Sequence, residues 1–198
     1  MITFNNVLQE DPYIRFNEEY LKATNASQKN IEAINISSFD PKKNEVNSRF
    51  VNLKIIDLDS FIFFTNYESA KSEHFKYHDQ IAATIFWESI NVQIRIKAKI
   101  KKTTVEYNNK YFKARLSKKN ALAISSKQSM PIISYEENLK RYKYHLESSD
   151  LTKCPNYWGG YTFTPYYFEY WEGHESRINK REIFEKDGKG WHGYFLQP

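Results

Sequence analysis

The sequence predicts a mainly β protein, an antiparallel sheet or barrel with a few helices inserted, and three observations carry that reading. Apolar segments follow one another through tight turns between residues 48 and 65, as in a meander. Val92, Ile94, Ile96, Ala98 and Ile100 alternate with Gln93, Arg95, Lys97, Lys99 and Lys101. That period of two marks a strand with one buried face and one wet, basic face. The helical stretches interrupt the strands and do not alternate with them, which argues against a doubly wound parallel sheet.

Taken in order, Asp11-Pro12 is a helix start, and residues 13–28 carry Ile14, Tyr20, Leu21 and Ala23 among polar positions. Residues 1–30 are therefore expected to form an N-terminal helical segment. Residues 31–37 read as a strand with apolar points at Ile31, Ala33 and Ile36, and the polar run at 40–44 as a turn. A second strand spans 48–56, Asp57-Leu58-Asp59-Ser60 turns, and Phe61 to Thr65 make a third. A helix over 69–79 carries His74 and His78, and Ile81 to Trp87 form the strand before the alternating one. Residues 108–117 and 134–148 look helical, Trp158-Gly159-Gly160 interrupts the pattern, and 161–171, 181–186 and 190–196 supply the last strands. With no repeat and no low-complexity linker, residues 1–198 are expected to make one domain.

Composition narrows the function classes. Aromatic residues make up 17% of the chain, enough to fill a core and also to offer flat stacking surfaces. A formal net charge of +5 favours an anionic partner. Acidic residues share the basic segments and no RNA-binding signature of glycine and aromatics occurs, so nucleic acid is not expected. The single cysteine, Cys154, rules out an internal disulfide and fits a reducing compartment. The N-terminus lacks the apolar core of a signal peptide, and no run approaches the roughly 18 apolar residues of a membrane span. A cytoplasmic protein without a membrane partner is the expectation.

Some chemistry is missing. None of the 6 glycines forms GxGxxG or GxxxxGK[ST], so a bound phosphate has to be held by Arg, Lys and hydroxyl side chains. No GxSxG elbow is present. His74 and His78 lie one helical turn apart, but without HExxH or a third ligand they read as a solvated helix face, and no metal is expected. Nothing near Cys154 would activate it as a nucleophile.

From Arg49 onward the sequence resembles the pyridoxamine 5'-phosphate oxidase family. The family's strand motif Arg-x-Val-x-Leu-Lys is met by Arg49-Phe50-Val51-Asn52-Leu53-Lys54, and its aromatic-Thr-Asn strand end by Phe64-Thr65-Asn66. Ser69-Ala70-Lys71 stands for Ser-Arg-Lys, Gln93 for a Gln on the next long strand, and Tyr111 with Arg115 for Tyr-x-x-x-Arg. Ser126-Lys127-Gln128-Ser129, Trp158-Gly159-Gly160, Trp171, Arg177-Ile178-Asn179-Lys180-Arg181 and a final Pro198 follow in family order.

The resemblance implies a homodimer of split β-barrels that binds FMN at the subunit interface. It implies FMN contacts from Arg49, Phe64, Thr65, Lys71, Gln93, Trp171 and Arg181, with Gln128 and Ser129 coming from the partner subunit. Lys54, Tyr111, Arg115 and Lys119 are implied for the substrate phosphate, and Arg177 and Asn179 for the catalytic side of the substrate ring. Arg49 and Lys54 are five apart, so a regular strand would point them to opposite faces; a bulge or a place for Lys54 at the strand end would reconcile them, or the two serve different pockets. Three positions depart from the family: Ala70 replaces an Arg at the FMN phosphate, Lys119 a Ser at the substrate phosphate, and Asn179 a His at the substrate ring. The leading expectation is an FMN-dependent oxidase that converts pyridoxamine or pyridoxine 5'-phosphate to pyridoxal 5'-phosphate with O2 as acceptor. A divergent FMN oxidase for another ring compound, like the phenazine-biosynthesis relatives, and a non-catalytic flavin- or vitamer-binding protein are the alternatives.

Overall fold

The computed structural model describes residues 1–198. Along the chain run β1 (Thr3–Val7), α1 (Asp11–Asn25), β2 (Ala33–Asp40), β3 (Glu45–Leu58), β4 (Ser60–Asn66), α2 (Ala70–Tyr77), β5 (Gln80–Trp87) and β6 (Val92–Lys102). They are followed by α3 (Val105–Ala114), α4 (Ser117–Ser125), α5 (Tyr135–Ser148), β7 (Trp158–Glu172), β8 (Lys180–Asp187) and β9 (Gly190–Leu196). All strands belong to one sheet in the order β1-β3-β2-β5-β6-β7-β8-β9, and β4 pairs with both β3 and β7. Through β4 the hydrogen-bonded path returns to β3, so the sheet closes partly into a ring. Every pairing is antiparallel except that of β1 with β3.

The inward row of β6 is the alternation that the sequence displays: Val92, Ile94, Ile96, Ala98 and Ile100 are all buried. Phe16 of α1, Phe61 and Phe63 of β4, and Phe163 and Phe168 of β7 pack into the same core. Twelve aromatic residues belong to this core, where each fully buried large side chain contributes about 1.5–3 kcal/mol. The indole of Trp87 is kept satisfied by donating to the carbonyl of Ile31 at 3.1 Å.

Four local expectations need correction. Residues 1–30 are not wholly helical, because Thr3–Val7 adds a short polar strand to the edge that β3 offers around Ile55 and Ile56. The helix expected at 108–117 is two helices: α3 ends at Ala114, Arg115 is extended, and α4 starts at Ser117. Trp158-Gly159-Gly160 does not break the pattern but begins β7, opposite Asn66, Thr65 and Phe64. The glycines are there for close approach: a Cβ on Gly159 would overlap Tyr67 and Asn108, and one on Gly160 would press on Thr103. His74 is not on a solvated face but is buried against β2. No helix is long and apolar enough to cross a membrane.

Candidate functional site

The β3–β4 pairing runs from Asp57 opposite Ser60 to Leu53 opposite Phe63, and there it stops. Before Leu53, β3 keeps β2 as its neighbour, while Phe64 to Asn66 of β4 stay with β7. The two strands diverge and leave a cleft of ≈ 970 Å³, walled also by the start of α2, by α3 and by α4. A register shift between Leu53 and Ile55 makes Lys54 an extra residue at the fork. That bulge turns Lys54 back toward the side of Arg49, so both line the cleft despite their odd spacing.

Arg49, Lys54, Phe64, Thr65, Lys71, Tyr111, Arg115, Lys119, Gln128 and Ser129 all border this one cleft. At its α2 end, Lys71 is 5% exposed and its ammonium donates only to Ser69 Oγ, at 3.0 Å. Burial, reinforced by the nearby charge of Arg49, pushes Lys71 down to about 8. Arg49 uses one guanidinium nitrogen, Nη1, to donate to Ile36 O at 3.1 Å and Ser38 Oγ at 2.7 Å. Its Nε and Nη2 meet no protein acceptor, and burial lowers its proton affinity as well. A buried lysine and a half-buried arginine, with unused donors and no carboxylate partner, fit the terminal phosphate of a nucleotide such as FMN. The first N–H groups of α2 open toward the same end and add to that fit.

Gln128 is reached from within its own chain. Its Oε1 accepts from Thr65 Oγ1 at 3.1 Å and from the backbone N–H of Asn66 at 3.2 Å. The amide of Asn66 lies where β4 no longer has β3 beside it, and the Gln128 side chain satisfies it. Ser129 follows in a left-handed conformation, with φ of 72°. Gln128 and Ser129, expected from the partner subunit, border the cleft of their own chain.

The middle of the cleft is flat and aromatic. Tyr111 stacks on Phe64 with ring centroids 3.6 Å apart and planes 7° from parallel, and Trp158 lies 5.3 Å from Phe64 at 10°. The guanidinium of Arg115 sits over the Trp158 ring at 4.8 Å. The break between α3 and α4 places it there, and its Nη1 donates to Lys119 O at 3.0 Å. Burial lowers Arg115 and raises Tyr111 relative to their usual values. Lys54 is already paired with Glu32 at 3.3 Å, whereas Arg115 and Lys119 form no ion pair. This end is cationic and suits a second oxyanion.

The other expected residues lie elsewhere on the chain. Gln93, Trp171 and Arg181 are register partners across β6, β7 and β8 and form one row. Arg181 is held by Glu169, whose Oε1 takes its Nε at 2.9 Å and its Nη2 at 2.8 Å. The second oxygen of Glu169 accepts from Arg95 at 2.6 Å and from the Tyr167 hydroxyl at 3.1 Å. Arg177 and Asn179 occupy the turn between β7 and β8; Arg177 is exposed with φ of 59°, and Asn179 Oδ1 accepts from His174 N at 3.0 Å. None of these five borders the cleft. The strands β3 and β6 are separated by β2 and β5, roughly 14 Å along the sheet.

Sequence reasoning missed Trp158 as part of the aromatic wall, Ser38 and His74 beside Arg49, and Glu169 beneath Arg181. Trp158 carried a signal, since it opens the Trp-Gly-Gly motif; the others are joined to their partners only by the fold. Cys154 is half-buried, and burial pushes its thiol up to about 11, away from nucleophile chemistry.

Comparison with known proteins bears on these two groups of residues. Residues 158–198 match the family described as pyridoxine 5'-phosphate oxidase C-terminal dimerisation region. The chain is 34% identical over 170 residues to the pyridoxine/pyridoxamine 5'-phosphate oxidase of Colwellia psychrerythraea, covering 84% of this chain and 77% of that one. Its fold is similar to that of PhzG from Burkholderia lata 383, solved with tetrahydrophenazine-1-carboxylic acid, with a TM-score of 0.90, 22% identity and coverage of 96% and 94%. It is also similar to a pyridoxamine 5'-phosphate oxidase-related, FMN binding protein from Nostoc punctiforme, with a TM-score of 0.79, 11% identity and coverage of 94% and 98%.

Proposed function

The chain belongs to the pyridoxine/pyridoxamine 5'-phosphate oxidase family, and on that footing we propose that it is an FMN-dependent oxidase acting on pyridoxamine or pyridoxine 5'-phosphate. The observation that carries the reading is the pair of cations, half-buried Arg49 and buried Lys71, left without a carboxylate at one end of the cleft. When bound, FMN supplies the two-electron oxidation, with O2 as the final acceptor.

The chain's own residues bind and orient. Arg49 and Lys71 hold the flavin phosphate, and Thr65 and Ser129 offer hydroxyls to the adjoining chain of the nucleotide. The stacked rings of Phe64, Tyr111 and Trp158 give one side of the cleft a flat surface that excludes water. Lys54, Arg115 and Lys119 take the substrate phosphate, and the Tyr111 hydroxyl, protonated at neutral pH and raised further by burial, donates a hydrogen bond to it. Gln93, Trp171, Arg177, Asn179 and Arg181 complete the site from the second subunit of a homodimer. Four of those five lie within residues 158–198, the stretch that matches the family's dimerisation region.

Lys119 and Asn179 favour a second reading, a related oxidase for another anionic ring compound. Asn179 donates and accepts hydrogen bonds but does not titrate near neutral pH as a histidine would. The absorbance spectrum of the purified, FMN-loaded protein distinguishes the two. Bleaching of the flavin band by anaerobic pyridoxamine 5'-phosphate, and pyridoxal 5'-phosphate on readmitting air, is the expected result. No product at millimolar substrate, with bleaching by a dihydroaromatic acid, would replace the first reading with the second.

A further inference from the structure

Arg49 does not reach the cleft as a free side chain. Its Nη1 donates to Ser38 Oγ at 2.7 Å, and Ser38 Oγ lies 2.9 Å from His74 Nδ1. The far ring nitrogen, His74 Nε2, is 3.5 Å from Asp40 Oδ2. Ser38 is 3% exposed and His74 6%, so water does not compete for these bonds.

The direction of one of these bonds is fixed by chemistry. A guanidinium only donates, so Ser38 Oγ accepts from Arg49. The Ser38 proton meets no acceptor other than His74 Nδ1, which takes it when the ring is neutral and carries its own proton on Nε2, facing Asp40. Burial lowers the proton affinity of His74, and Arg49 and Lys43 lower it further against the opposing pull of Asp40 and Glu73. That lowering favours the neutral ring, the form that accepts the Ser38 proton.

We propose that Ser38 and His74 are positioning residues that hold the Arg49 guanidinium by one nitrogen and present its other two to the phosphate of the nucleotide. The proposal rests on the flavin reading above. It concerns residues that touch neither flavin nor substrate, so their effect passes through Arg49 alone. With Nη1 tied to Ile36 O and Ser38 Oγ, the long side chain is ordered before the ligand arrives, and its remaining donors are not spent on the protein. His74 fixes the rotor of the Ser38 hydroxyl, and Asp40 fixes the tautomer of His74.

The test is to titrate wild type, Ser38→Ala, His74→Phe and His74→Gln with FMN and with riboflavin, which lacks the phosphate, at pH 7.5. Wild type is expected to prefer FMN. In Ser38→Ala and His74→Phe that preference should fall about tenfold with riboflavin affinity unchanged, and His74→Gln, whose amide oxygen accepts the Ser38 proton, should restore it to within about threefold. Equal losses for both flavins would mean a structural role and overturn the proposal. An undiminished preference in Ser38→Ala, the near-isosteric change, would overturn it too. A wild type that binds both flavins equally would instead remove the phosphate seat, and the proposal with it.

Discussion

Half-buried Arg49 and buried Lys71 meet at one end of the cleft with no acidic partner, and burial, reinforced by the charge of Arg49, depresses the proton affinity of Lys71. This has a measurable consequence for ligand binding. Lys71 sits at about 8, so its ammonium is present below that pH and lost above it. A bound phosphate favours the charged form, and FMN affinity should therefore fall as pH rises through 8. Riboflavin affinity should not change over the same range. Fluorescence titrations between pH 6.5 and 9.5 check this, and an FMN affinity flat across the range would show that Lys71 does not meet the phosphate.

The same burial means that Lys71 works against the fold of the ligand-free protein. An ammonium taken from water without a counter-charge destabilises, and a flexible apolar side chain of similar length removes that penalty. Lys71→Met should raise the melting temperature of the apoprotein while weakening FMN binding by roughly one to two decades. Loss of both stability and affinity would instead point to a structural role for the Ser69 contact.

Arg177 carries strain of a different kind. Its φ of 59° puts a long, Cβ-bearing residue in the left-handed region, at a cost of about 1–2 kcal/mol that glycine would not incur. The exposed side chain does nothing visible for the fold of a single chain. Arg177→Gly should therefore stabilise the protein by about 1 kcal/mol and reduce turnover of pyridoxamine 5'-phosphate. Denaturant melts and steady-state rates measure the two effects separately, and a variant with unchanged rates would remove Arg177 from the site.

Legibility in the sequence followed the range of the physics. The β6 alternation and the turn at 57–60 are local patterns and formed where the sequence placed them, whereas the strand expected at 31–37 runs from Ala33 to Asp40 with Ile34, Ile36 and Ser38 as its buried row. The Trp-Gly-Gly segment misled because its two glycines read as an interruption of the pattern, whereas their service to this fold is the absence of a Cβ beside Tyr67, Asn108 and Thr103. A bulge at Lys54 is one of three ways to reconcile its spacing from Arg49, and nothing in LKII marks the extra residue that selects it. Ser38 and His74 were out of reach because 36 positions separate them and only the packing of α2 on β2 joins them. The cleft residues were legible as an ordered set of motifs, but their division between two surfaces of one chain is a property of the sheet, not of the motif order.

That division supplies the last prediction. The cleft holds Arg49 and Lys71, while Arg181 is locked on Glu169 in a separate row on β8. If one site draws its cleft from one subunit and its row from the other, the two kinds of lesion complement. Lys71→Met and Arg181→Met should each lower activity as a pure dimer. After unfolding and joint refolding of an equal mixture, half the dimers carry one variant of each kind. In each of these, one site has both lesions and the other has neither. Recovered activity should approach about a quarter of wild type, with no recovery when the two proteins are mixed without subunit exchange. Failure to complement after verified exchange would place the whole site within one chain and leave the Gln93-Trp171-Arg181 row without a part in it.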